Sequence, residues 1–307
     1  MKTNVLLVVM ILFLQTITAQ NKKGFNLDNA IIPVSEIKDG GPAKDGIPSI
    51  DAPKFIKASG AVLDRNARIL GVYENGIAKA YPISILNYHE IVNDHFGDQP
   101  VVVTFCPLCG SGIAFDALVK DKPKTFGVSG LLYNSDVLLY DRETESLWSQ
   151  LKYQAVAGTL VGVSLKMLNT ANTTWKSWNV KYPNTLVLSE DTGFIRDYSR
   201  NPYPGYEDSP ALYFSVSDQD ARFHPKETVI GVEINGKFKA YAFSELEKLK
   251  GKELKDSFEG KDLIIKYKPS SKSAEIFDNE ANPIPAVTNF WFAWFAFHPD
   301  TEVYKFM

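Results

Sequence analysis

The sequence predicts an α+β, β-rich fold built as two tandem, related hairpin–helix–strand units, and three observations carry that reading. Residues Ile69–Tyr81 match residues Val229–Tyr241 at a constant offset (229 − 69 = 160). Both stretches hold Asn-Gly between alternating apolar residues, Asn75-Gly76 and Asn235-Gly236, a pattern that specifies a two-residue hairpin turn. The match then resumes two residues out of step, with Val103–Cys109 against Ile265–Ser271 and Phe115-Asp116 against Phe277-Asp278. A period this long is an internal duplication and not a solenoid array.

The elements follow in chain order. Lys2, the apolar stretch Val5–Leu14 and the small-residue end at Ala19 predict a secretory signal peptide over residues 1–20. That stretch falls short of the roughly 20 residues a membrane helix needs, so no integral membrane segment is expected after its removal. The chain is therefore read as exported, periplasmic or secreted. Residues 21–60 form an extended, turn-rich leader containing Asp39-Gly40-Gly41-Pro42. The first unit, 61–165, carries a hairpin, then Ser84 and a helix over Pro82–Phe96, then the strand Pro100–Phe105. An irregular connector spans 166–222. The second, degenerate unit, 223–307, repeats the hairpin, Ser244 and a helix to Leu254. It ends on the apolar run Phe290–Phe297, which reads as a buried strand. Net charge is −3 with both signs interspersed, which gives no reason to expect a nucleic-acid partner.

The chain has two cysteines, Cys106 and Cys109, in Cys106-Pro107-Leu108-Cys109-Gly110 at the end of an apolar strand. Two sulfurs this close suit a dithiol–disulfide couple or a soft metal. A purely structural bridge closing so short a loop contributes only about 2 kcal/mol in the loop-entropy model. In the second copy the two positions are Lys268 and Ser271, so that loop is built without sulfur, which favours function in the first. His89 and Glu90 have no counterpart pair in the second copy's helix.

Three chemistries fit. The leading one is thiol–disulfide exchange without a cofactor, a thiol-based oxidoreductase acting on a redox partner or small molecule. Cys106 is its nucleophile, Cys109 resolves the mixed disulfide, His89 lowers a thiol pKa and Glu90 orients it. A straight helix above an antiparallel strand, however, sets His89 beside Val103 and short of the sulfurs. The second is a zinc or copper site on Cys106, Cys109 and His89. The third is a ligand- or glycan-binding module with a structural disulfide, in which Trp148 and Gln150 contact the substrate beside Tyr203 and Tyr206.

Several stretches together resemble the domain-of-unknown-function family 3179: Leu86–Asp94, Thr104–Ser111, Ser129–Asp136, Tyr140–Gln150 and Trp291–Phe297. The resemblance covers nearly the whole chain after the signal peptide. It implies no established activity. Some members of that family are selenoproteins with selenocysteine in the Cys-x-x-Cys motif, and by analogy this implies redox chemistry.

Overall fold

The computed structural model describes residues 20–306, so the expected signal peptide lies outside the described residues except for Gln20. The expectation of an α+β fold made of two tandem hairpin–helix–strand units is overturned. Five sheets of four or five strands form the blades of a five-bladed β-propeller, and only four short α-helices sit among the described residues. These are α1 (Ile83–His89), α2 (Trp175–Lys181), α3 (Phe243–Glu247) and α4 (Trp291–Phe297). Helices of five to seven residues cannot present a layer of their own.

Two corrections explain the difference. The helix expected over Pro82–Phe96 stops at His89, because Glu90 takes a positive φ of 56°. Ile91–Phe96 is instead a strand, turning through Gly97-Asp98 to pair with Gln99–Cys106. The β-branched pair Ile91-Val92 and the glycine at φ +65° favour that hairpin over about two more helical turns. The second copy does the same: α3 is brief, and Leu254–Phe258 pairs with Lys261–Lys268. Conversely, the apolar run expected as a strand is α4, buried on nearly every side. A helix apolar all round carries no periodic signature to distinguish it from a buried strand.

The related stretches persist as local structure, each spread over two blades. In the first copy, the hairpin Arg68–Glu74/Ile77–Pro82 shares a blade with Thr170–Thr174, Leu186–Leu188 and Phe55–Lys57. The next blade orders Lys166–Leu168, Ser111–Asp116, Gln99–Cys106 and Ile91–Phe96. The second copy's blades are Val287–Phe290, Thr228–Ile234, Lys237–Ala242 and Glu302–Val303, then Leu254–Phe258, Lys261–Lys268, Ser273–Phe277 and Pro283–Ile284. Much of the expected irregular connector thus belongs to a blade, and only the part after Leu188 is irregular.

The likeness reaches side chains that the sequence match does not cover. Lys79 and Tyr81 both bond Asp94, and Lys239 and Tyr241 both bond Asp256. The Trp178 indole donates to Thr185 Oγ1 at 3.0 Å, as Trp294 donates to Thr301 Oγ1 at 2.9 Å. Each indole lies flat on a hairpin glycine. A Cβ at Gly71 would stand 2.4 Å from Trp178, and one at Gly231 2.3 Å from Trp294. Gly71→Ala and Gly231→Ala are each expected to cost about 3 kcal/mol by overpacking, and thermal melts that leave either variant unshifted would refute the contact.

One large difference separates the copies. Strand Ser273–Phe277 reaches Pro283–Ile284 through a short turn. Its counterpart Ser111–Asp116 pairs directly with Lys166–Leu168, and everything between them is inserted. The insertion supplies four strands of the fifth blade: Phe126–Tyr133, Asp136–Asp141, Leu147–Ser149 and Gln154–Ala157. The leader strand Ile37–Asp39 completes it. The largest apolar core joins this blade to the cysteine blade and to α4.

Candidate functional site

Cys106 ends its strand opposite Ser111, and the turn between them carries Pro107, Leu108, Cys109 and Gly110. Gly110 sits at φ +60°, where a side chain is strained, and a Cβ would meet the Phe290 ring at 3.0 Å. The Cys109 carbonyl accepts from the Phe290 N–H at 2.8 Å. The loop is therefore pinned on the second copy. Both cysteines are free thiols and buried, Cys109 completely.

The inserted blade brings the third group. Its hairpin Asn134-Ser135 has positive φ at both residues, the geometry of a two-residue turn. Asn134 donates to the Ala296 carbonyl of α4 at 3.1 Å and accepts from Ser217 N–H at 2.8 Å, which fixes the tip. The Ser135 carbonyl accepts from Cys109 Sγ at 3.4 Å and lies 3.8 Å from Cys106 Sγ. Asp136 accepts from Leu151 N–H at 3.0 Å through one oxygen. Its other oxygen, Oδ1, is buried with no partner among the described residues. The two sulfurs and an Asp136 oxygen all lie within 4.8 Å of one another. The sequence signal that could have found Asp136 is the stretch Ser129–Asp136, which resembles the family but carries no chemistry of its own.

Glu90, the residue that caps the end of α1, and not His89, comes beside the cysteine strand, where it shares a cavity wall with Cys106. Because Ile91–Phe96 is a strand, it keeps one-to-one register with Gln99–Cys106, and the Glu90 carbonyl accepts from Phe105 N–H at 2.7 Å. A helix there would have left both residues behind. His89 points elsewhere: Nδ1 lies 2.7 Å from the Pro48 carbonyl and Nε2 2.6 Å from the Tyr198 hydroxyl. Neither ring nitrogen is left for a thiol or a metal. Trp148 is also interior, with Nε1 donating to Asp141 at 3.0 Å. Gln150 donates to Thr104 Oγ1 at 2.8 Å and accepts from Ser111 Oγ at 2.5 Å, fastening the inserted blade to the strands on either side of the cysteines. Neither offers a surface to a substrate.

Burial sets the acidities. It raises Cys106 and pushes Cys109 far above the usual thiol range, and the neighbouring Asp136 adds to both. Burial also lifts Asp136 to about 7, against the relief given by the Leu151 and Val137 N–H groups and by the two thiols. Glu90 rises to about 8, first by burial and then through Asp136. At neutral pH the site is thus mostly protonated, and a cation entering it would displace protons. Tyr206, in the same apolar core as both cysteines, has a buried hydroxyl with no partner among the described residues. Unpaired buried polar atoms around one point are the usual mark of an ion, water or ligand that belongs there.

A cavity of about 260 Å³ opens beside this cluster, with Cys106 and Glu90 in its wall. The rest of the wall comes from the leader, the fifth blade and the irregular connector, including Tyr203, Tyr213 and Phe214.

Fold and site together define a propeller with a thiol–carboxylate cluster buried where the inserted fifth blade meets the cysteine blade. Residues 44–301 match the family described as "Protein of unknown function (DUF3179)", and the chain belongs to that family. No curated protein and no solved structure matches the chain. Four of the five family-like stretches, Leu86–Asp94, Thr104–Ser111, Ser129–Asp136 and Trp291–Phe297, supply Glu90, the cysteines, Ser135–Asp136 and the Ala296 carbonyl. The fifth, Tyr140–Gln150, supplies the Gln150 clasp. No helix among the described residues is long and apolar enough to cross a membrane.

Proposed function

We propose that the chain binds a transition-metal ion through Cys106, Cys109 and Asp136. The observation that carries this reading is the convergence of three acidic donors within 4.8 Å, one carboxylate oxygen of which is buried and unpaired. A zinc ion with bonds of about 2.3 Å to two thiolates sets the sulfurs about 3.8 Å apart, which this envelope accommodates. Two thiolates and a carboxylate form a mixed soft and hard set, which favours zinc over copper(I). One of zinc's four positions would remain for a ligand from the cavity. In the exported, oxidising setting that the N-terminal segment leads us to expect, a bound ion would also protect the pair from oxidation.

Thiol–disulfide exchange fits the acidities less well. Exchange needs a thiolate, and here burial and Asp136 hold both thiols protonated, with Glu90 adding to the effect on Cys106. Its support is that Cys106 faces the cavity. The glycan-binding reading loses Trp148 and Gln150, whose polar atoms are taken up inside the protein.

Competition titration against a chromophoric chelator should give one equivalent of zinc per chain. Asp136→Asn should weaken binding by 10-fold or more, and Cys106→Ser with Cys109→Ser should abolish it. A wild-type chain that takes up neither zinc nor copper(I), while its thiols oxidise reversibly to a disulfide, would overturn the metal reading in favour of exchange.

A further inference from the structure

The cavity beside Cys106 has its own chemistry, which does not depend on a bound metal. Glu90 is 7% exposed and lines it, and no lysine, arginine or histidine stands in the same wall. A buried carboxyl without a counter-charge beside it is costly. Its backbone adds to the cost, since φ 56° is a conformation that glycine or asparagine would adopt more cheaply at the end of a helix. The structure therefore carries an expensive acid at this position. Three aromatic rings, Tyr203, Tyr213 and Phe214, stand in the same wall, and Leu108 is among the aliphatic side chains that fill in the rest.

We propose that this cavity is a binding site for a small, largely apolar organic ammonium ion, its charge held by Glu90 and the aromatic faces. Three features select that class. No lysine, arginine or histidine lines the cavity, so an anion finds no counter-charge there. A sugar would bring several hydroxyls to a wall that is mostly hydrocarbon. A cation gains both the carboxylate and the ring quadrupoles, an attraction strengthened by desolvation. The volume lies just under the roughly 300–1,000 Å³ of drug-sized pockets, which limits the occupant to a small molecule. Tyr213 is exposed, so the cavity reaches the surface on its side.

Calorimetric titration of the full chain with benzylamine, benzyl alcohol and benzoate tests this. Benzylamine is expected to bind at least 10-fold more tightly than the isosteric alcohol, with benzoate not binding. Glu90→Gln should remove the preference. Equal binding of amine and alcohol would overturn the proposal, as would failure of all three to bind the wild-type chain. The metal reading is judged separately: Asp136→Asn should lose zinc and keep benzylamine, so one result can fail without the other.

Discussion

Glu90→Gln is expected to remove most of a loss of stability that the metal-free wild-type chain shows between about pH 6.5 and 8. Burial raises Glu90 from 4.5 to about 8 and Asp136 from 3.8 to about 7. In the unfolded chain both ionise near their ordinary values, so above about pH 5 the folded state holds protons that the unfolded state has released. Stability from these groups is full below the unfolded pKa and is lost as pH climbs through the folded one. Two imidazoles work in the opposite direction. His298 is lowered to about 3 and His89 is lowered too, both first by burial. Their contribution is full above 6.5 and lost as pH falls, so it offsets the carboxyls below that point and leaves them unopposed above it. Glu90 alone then costs about 1.4 kcal/mol per pH unit. Over 1.5 units that is about 2 kcal/mol, or roughly 5 °C in Tm for a chain of this size. Thermal melts in half-unit steps of pH should show the slope in the wild type. In Glu90→Gln only the Asp136 share, ending near pH 7, should remain. A flat wild-type profile, or an equal slope in the variant, would mean that Glu90 has a partner that stabilises its charge.

Zinc should produce the larger shift and reverse the ranking of the variants. An ion present at about a thousandfold over its dissociation constant stabilises the folded state by about 4 kcal/mol. Because both thiols and Asp136 must give up protons to bind it, affinity should climb steeply with pH. Asp136→Asn removes a buried carboxyl that lacks one hydrogen bond, so the metal-free variant should melt above metal-free wild type at pH 8. With saturating zinc the order should invert, wild type standing higher by several degrees. Differential scanning calorimetry with and without zinc reads both states. An Asp136→Asn chain that melts lower in both would mark the carboxylate as a scaffold group and not a ligand.

The parts of this molecule that could be read from its residues are those set by local chemistry. Asn75-Gly76 and Asn235-Gly236 dictate their turns wherever they occur, and both hairpins form with Glu74 paired to Ile77 and Ile234 to Lys237. The cysteine spacing dictates that two sulfurs share a point. The errors arose where tertiary packing decided. Ile91–Phe96 has apolar residues at both helical and strand spacing, and the pairing partner Gln99–Cys106 settles the contest. Trp291–Phe297 could be either element until Gly231 leaves room for an indole. The likeness of Trp178 and Thr185 to Trp294 and Thr301 was legible in principle, since both pairs are separated by seven residues and precede a strand of the same blade position. The third donor was not legible. Asp136 comes from a sheet whose docking on the cysteine loop depends on Gln150, Asn134 and α4 at once, and no single spacing encodes that.

The point of insertion itself has a consequence. Asp116 and Lys166 face each other across one antiparallel pair, so the intervening chain leaves and re-enters the scaffold through a gap about 5 Å wide. A segment attached at such neighbouring ends can be exchanged without moving its points of attachment, provided that the new segment covers the same apolar core. The ring thus behaves as a chassis with a single port. What the cysteines can grip is decided by the cargo plugged in beside them, and a descendant could acquire a different partner for its sulfurs by replacing that cargo alone.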